Sequence, residues 1–479
     1  MNINNFITLI LAIYINVLFL FDVFIPIEIS IAIAIFVLIS LIRNAKKRKI
    51  GFINLLIFLI YAIPFIHIVP YLWLDLQADT PEVLWGLLSN EYNTNLQIVT
   101  LMASMGAVGA LGFLFGNQVA QNGIKIEKNE RCFNETTSGS MPLYLFYLWI
   151  LVGIFFSYIF APSSTIFEGR TTGYSLSAEW GFGSSWFFSY VIMLFALADS
   201  IFESRLSVRR HKFFLIICSS LYILIWLQLL RGDRESLPAL VAGFIMILYG
   251  RIIFTNENKV NKKVLIKFYF IIFFILLISS FIVMFRSEVA GLDIEDALSE
   301  IFSYSSNYQI ENIMHGTWSA VLLTPLSISG DYFYQLLPIE YGKTYFNLIA
   351  SIIPGFIADW IGYMRPIDET RGPAYMMKFG QGGTHAVVVP FLNFRMIGIF
   401  VVVVIWSYFL SKAEVFCLTR PNTPKLAFIG SLIAIAPHWL WYGEKIAISG
   451  LIVWGLLYLC YKTLVDTFGK KDCGREYEC

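Results

Sequence analysis

An all-α bundle of about twelve membrane-spanning helices is the architecture this sequence predicts, and three observations predict it. The 479 residues are 57% hydrophobic and only 14% charged, against about 25% charged in a soluble globular protein. Apolar runs long enough to cross a ~30 Å hydrocarbon core recur along the whole length. The segments joining those runs alternate between basic and non-basic. Residues 1–479 therefore read as a single integral membrane domain.

In order along the chain, the apolar runs predict spans near 6–22, 26–42, 51–72, 94–117, 142–162, 184–202, 213–230, 237–254, 267–285, 396–411, 426–442 and 446–464. Met1–Ile25 has no basic start and no small-residue cleavage site, so the first span is expected to stay. The connections Arg43–Lys49, Arg205–Lys212 and Lys259–Lys267 are strongly basic, and under the positive-inside rule they and every second connection are cytoplasmic. Both termini then lie inside, with 24 of the 34 Lys and Arg. The six cysteines (Cys132, Cys218, Cys417, Cys460, Cys473, Cys479) fall in cytoplasmic segments or within spans, so no disulfide framework is expected.

The external connections are unequal. Residues 163–183 form a medium loop between spans 5 and 6, and residues 286–395 form a very long one between spans 9 and 10. Loops of that length are usually functional. Within the long loop, Leu292–Ser303 has helical spacing, and Thr317–Pro338 and Tyr345–Ile361 are apolar but interrupted by Pro325, Gly330 and Pro354. These are expected to lie on the outer leaflet or dip into it; a further pair of true spans is the alternative, and it leaves the remaining topology unchanged.

Ten basic residues remain outside: Arg170, Arg231, Arg234, Arg286, Lys343, Arg365, Arg371, Lys378, Arg395 and Lys445. Seven are arginine, whereas the inside mixes nine Arg with fifteen Lys. Retention on the inside needs only positive charge. Arginine adds a planar fork of donors that fits phosphate or carboxylate oxygens. Snorkelling from span ends accounts for Arg286 and Arg395 and competes as an explanation for the others. Arg231 and Arg234 crowd into a turn about six residues long, beside Asp233 and Glu235.

Two external segments share a spacing. Arg170-TTGYSLSAEW-Gly181 and Arg371-GPAYMMKFGQ-Gly382 each have arginine, ten residues, then glycine, in the third and fifth external loops. Composition alone leads one to expect about one such match, so location carries the weight. The combination resembles the Wzy-type O-antigen polymerases, multi-span proteins with an Arg-x10-Gly signature in the corresponding two periplasmic loops. Gly232–Pro238 opening a span, Tyr341–Tyr345 followed by an Ile-Ile-Pro run, and Gly380–His385 entering the next span also look like oligosaccharide repeat-unit polymerases. The resemblance covers most of the chain as topology and about forty residues as motif. It implies a GT-C-like bundle in a bacterial inner membrane. It also implies transfer of a growing glycan from undecaprenyl diphosphate to a new lipid-linked repeat unit, with a chain-length-regulating co-polymerase as a plausible partner.

The residues allow that chemistry. A diphosphate leaving group needs positive charge where its negative charge develops, and preorganised donors are often the largest catalytic contribution. No Asp-x-Asp pair lies outside, Asp293–Asp296 being the nearest substitute and readable as a solvated helix face. The expected site is therefore metal-independent and free of cofactors, with Arg170, Gly181, Arg231, Arg234, Arg365, Arg371 and Gly382 binding diphosphate or glycan. His385, after the Gly-rich GQGGT stretch, is the candidate base; a histidine hydrogen-bonded at a helix start is the alternative. Glu179, Asp368 and Glu369 are rival bases, and Tyr174, Trp180, Tyr363 and Tyr375 could stack on sugar rings. The bilayer and the lipid-linked oligosaccharide are the expected partners, with no nucleic acid. Two other functions compete: an O-antigen ligase, and a lipid-linked oligosaccharide flippase or transporter. Spans almost free of central charge speak against transport.

Overall fold

The computed structural model describes residues 3–48, 51–77, 96–122, 140–160, 185–224, 236–254, 310–350, 360–364, 385–418, 421–442 and 444–468. Every regular element among the described residues is a helix. In chain order these are α1 (Ile3–Leu20), α2 (Ile27–Arg48), α3 (Phe52–Gln77), α4 (Leu96–Asn122), α5 (Leu143–Phe160), α6 (Ser185–Phe202) and α7 (Leu206–Leu224). They continue as α8 (Ser236–Phe254), α9 (Ile310–Phe333), α10 (Lys343–Ala350), α11 (Val388–Leu418), α12 (Thr423–Tyr442) and α13 (Glu444–Phe468).

Among the described residues, five helical stretches are long and apolar enough to cross a membrane: Ile27–Ala45, Phe52–Leu74, Leu96–Gln121, Val388–Cys417 and Ala447–Phe468. Shorter apolar helices cover Asn5–Leu20, Leu143–Ser157, Phe188–Phe202 and Ala239–Tyr249. The chain is thus a helical membrane protein. Each expected span has a helix on it except 267–285, which lies outside the described residues, as does Leu292–Ser303.

The chain divides into two compact units. The first joins Met1–Lys125, Met314–Val415 and Ala436–Ala447; the second joins Ile126–Ile313, Phe416–Ile435 and Ile448–Cys479. In the first unit α4 is the central helix, buried along nearly its whole length. Its small residues are what allow this. A β-carbon at Gly109 would overlap the Tyr61 hydroxyl of α3, and one at Gly116 would overlap the Val404 carbonyl of α11. Without water to drive helix association, close backbone approach at such positions supplies the packing contacts.

Helix α9 carries Pro325 in its interior, and its side chains from Val321 to Asp331 that are described are all buried. A helix lying on a membrane surface keeps one face uncovered. α9 is instead packed among its neighbours, with Ser329 Oγ against Met105 Sδ of α4 at 3.5 Å. In the second unit the core is aromatic: Trp149, Phe195, Trp454 and Tyr461 meet edge-on, tilted or stacked.

Candidate functional site

Seven of the expected site residues, Arg170, Gly181, Arg231, Arg234, Arg365, Arg371 and Gly382, lie outside the described residues. So do Glu179, Asp368, Glu369 and Asp293–Asp296. Among the expected site residues, His385 is the one that the described chain contains.

His385 precedes α11, and α11 is not one helix. Phe394 and Arg395 leave helical geometry, Arg395 at φ 57° and ψ −148°. A β-carbon at Gly398 would overlap the carbonyl oxygen of Pro390. In a straight helix eight residues separate atoms by about 12 Å, so Val388–Asn393 must fold back against the helix that follows. Such a break is tolerated at membrane depth only where protein covers the freed backbone, and here it does. Val387–Asn393 are buried throughout, Ala386 N–H donates to Leu440 O at 2.7 Å, and Glu340 N–H donates to Leu392 O at 3.1 Å.

The imidazole of His385 is fully buried between Tyr61 and Phe65 of α3. Nε2 donates to Tyr61 O at 3.2 Å, and Nδ1 accepts from Val387 N–H at 3.4 Å. Both ring nitrogens are engaged, so this arrangement holds the start of α11 against α3. It offers no open nitrogen to a substrate. The expected consequence of His385→Ala is a lowered melting temperature in detergent. An unchanged melting temperature would show that the imidazole does not hold α11 against α3.

Beyond the fold-back lies a ledge. Asn393 Oδ1 accepts from Gly342 N–H at 2.8 Å, and its Nδ2 donates to Val389 O at 2.8 Å and to the Thr344 hydroxyl. One buried amide thus pins the Tyr341–Tyr345 segment, which opens α10, onto α11. Gly342 sits at φ +88°, conformational space that glycine enters freely. Arg395 is strained; a non-glycine at that φ and ψ costs on the order of 1–3 kcal/mol. It is held by donation from Nη2 to Leu337 O at 2.6 Å, and its guanidinium lies over the rings of Tyr332 and Phe391 at 5.3 and 5.4 Å. Tyr332 in turn donates to Asp22 Oδ1 at 3.1 Å, at the end of α1. Snorkelling does not describe this arginine, which the surrounding rings and carbonyl fix in place. Tyr341, Phe346, Trp360 and Met364 are exposed along the same stretch of chain.

The second unit holds a buried ionic cluster that the reading of loop charges missed. Lys212 Nζ donates to Asp199 Oδ2 at 2.8 Å and to Met141 O at 2.8 Å, lies 3.2 Å from Glu203 Oε2, and has no exposed surface. Asp199 Oδ1 also accepts from Met141 N–H at 2.9 Å and from the Tyr461 hydroxyl at 2.7 Å. Burial pushes the Glu203 carboxyl up, but the Ser140 hydroxyl, the Lys212 ammonium and the Arg205 backbone N–H together bring it down to about 2. Lys212 looks like one more cytoplasmic retention charge in Arg205–Lys212. The available signal was Asp199, an acid inside an otherwise apolar expected span.

Together these features define a helical membrane protein with a broken, partly buried helix under a structured ledge in one unit and a closed ionic cluster in the other. Compared with known family models, curated proteins and solved structures, the chain matches none.

Proposed function

We propose that this chain is a bacterial inner-membrane glycosyltransferase that polymerises undecaprenyl-diphosphate-linked oligosaccharide repeat units on the periplasmic face. The observation that carries the reading is the pair of Arg-x10-Gly elements at Arg170 and Arg371, both in external connections, against a background where external basic residues are mostly arginine. In the reaction, a hydroxyl of the acceptor repeat unit attacks the anomeric carbon of the donor glycan. The bond from that carbon to the diphosphate oxygen breaks, and the hydroxyl proton leaves to a base or to solvent. The diphosphate departs with its negative charge held by arginine forks.

Three structural facts support this reading. The chain is a helical membrane protein. Ends assigned to one side by charge meet one another: Met141, Asp199, Lys212 and Tyr461 in one unit, and Phe52, Asn117 and Glu414 in the other. The Tyr341–Tyr345 segment, part of the resemblance, is pinned to the fold-back that starts at His385. A twelve-span, GT-C-like bundle with both termini inside is the architecture that goes with this proposal.

One observation favours a second reading. A broken helix such as α11 is common in transporters, so a lipid-linked oligosaccharide flippase is the main competitor, ahead of an O-antigen ligase. Deleting the gene separates the three. The expected result is a surface glycan reduced to single repeat units. Loss of surface glycan with lipid-linked polymer accumulating would point to a ligase, and loss of outward-facing repeat units to a flippase.

A further inference from the structure

Helix α7, in the second unit, begins with its side chains set against its own dipole. Residues 199–212 carry Arg205, Arg209, Arg210 and Lys212 against Asp199 and Glu203, a net charge of +2 with His211 neutral. No acid stands in the first turn of α7. A helix start is itself worth about half a positive charge, so basic side chains are disfavoured there until an anion covers them. Lys212 is neutralised within the buried cluster. Arg209 donates from Nε to Glu203 O at 2.7 Å, and Arg205 Nε donates to Glu203 Oε1 at 3.2 Å. Arg210 is different: it is exposed, and among the described residues no acid or carbonyl takes its donors.

Helix α5 runs alongside from the same end. Its Phe146 ring lies 5.0 Å from the Lys212 ammonium, and the Tyr147 hydroxyl is hydrogen-bonded to His211 Nε2. Tyr147 and Tyr144, one turn nearer the helix start, are both exposed. Past this contact the two helices carry matched apolar stripes: Leu148, Leu151 and Phe155 on α5, and Phe214, Ile217 and Leu221 on α7, every one exposed. The same spacing, i, i+3, i+7, keeps each stripe on one side of its helix. The other side of α7, through Lys212, Ile216, Ser219 and Ile223, is buried. In a membrane protein the exposed stripes face hydrocarbon, and the tyrosines and basic residues at their ends sit at head-group level.

We propose that Arg210 and the start of α7, edged by Tyr144 and Tyr147, seat the head group of an anionic phospholipid whose acyl chains lie along the stripes of α5 and α7. Charge complementarity and the continuity of the surface carry this. A phosphodiester brings one negative charge and acceptor oxygens that fit an uncommitted guanidinium fork, and it covers the positive start of the helix. A zwitterionic head group brings an ammonium along with its phosphate, which the excess positive charge here repels. Free phosphate meets the same charge but leaves the apolar stripes without chains. The bound lipid would bridge α5 and α7 at the end where the buried cluster already joins them. The inference stands apart from the glycosyltransferase reading, because it concerns the end that the loop charges assign inside and is tested without activity.

The test uses the purified full-length chain in an uncharged detergent. Its melting temperature is measured in rising phosphatidylglycerol, then in phosphatidylcholine with the same acyl chains, then in inorganic phosphate. The expected result is a saturable rise of about 2 °C or more with phosphatidylglycerol alone. Arg210→Ala and Arg210→Gln, at an exposed position, are expected to melt as the wild type does without lipid and to lose most of the rise. Arg43→Ala, which removes an exposed basic residue from α2 in the first unit, is expected to keep it. The proposal is overturned by no rise, by equal shifts with both lipids, by a rise with inorganic phosphate, or by a rise that the Arg210 variants retain. A loss matched in Arg43→Ala overturns it too, by reducing the effect to diffuse attraction.

Discussion

Replacing Lys212 by alanine is expected to destabilise the protein by about 3–5 kcal/mol, the cost of leaving buried charge without its partner. Asp199 and Glu203 are 1% and 2% exposed, so water cannot take over the role of the ammonium, and the two carboxylates would face each other across the gap. The cost comes from the unpaired acids; the ion cluster itself need not be strongly stabilising. Removing all three charges together, as Lys212→Met with Asp199→Leu and Glu203→Leu, is therefore expected to recover most of the loss. Recovery should stop short of complete, because Asp199 also accepts from Met141 N–H and the Tyr461 hydroxyl, and each donor left unmatched costs about 1–3 kcal/mol. Adding Tyr461→Phe should return part of the remainder. Thermal unfolding of the three variants and the wild type in detergent measures this. A triple variant less stable than Lys212→Ala would show that the cluster holds the fold through more than charge balance.

The same cluster shows what could be read from the sequence and what could not. Helix positions follow from apolar run length, which is a property of contiguous residues, so eleven of the twelve expected spans carry a described helix, while α9 and α10 lie in the segment 286–395 expected as a loop. Lys212 is different. Its neighbours Arg209, Arg210 and His211 made it look like a loop charge, and its true surroundings come from residues 71, 13 and 9 positions away. Arg395 was legible as a basic residue at a span end, but not as one held by Leu337 and two aromatic rings, because the fold-back of Val388–Asn393 depends on tertiary contacts. Glu414 and Phe52, whose N–H it accepts, are 362 residues apart in sequence, and no local pattern announces that contact. His385 was legible by type and by its place before a helix; the engagement of both its nitrogens was not. The arginines at 170, 231, 234, 365 and 371 remain a sequence argument, since they lie outside the described residues.

Arg371→Ala and Arg170→Ala are each expected to lower the rate of glycan polymerisation by about 10²–10³-fold, the usual effect of removing one preorganised donor from a developing negative charge. Long chains should vanish from the surface glycan ladder while single repeat units persist and membrane levels of the protein stay constant. Lysine at either position separates two versions of the idea. A planar fork donates two parallel hydrogen bonds to a diphosphate, whereas an ammonium is a point charge, so lysine variants should stay well below the wild type. Full rescue by lysine would reduce the role to electrostatic attraction, and wild-type ladders in both alanine variants would sink the site. The double variant carries the sharpest information. If the two arginines grip one diphosphate, losing the second after the first should cost much less than its single effect, because residues acting as a unit are strongly non-additive. Additive losses would instead assign them to separate partners, one on the growing chain and one on the incoming repeat unit.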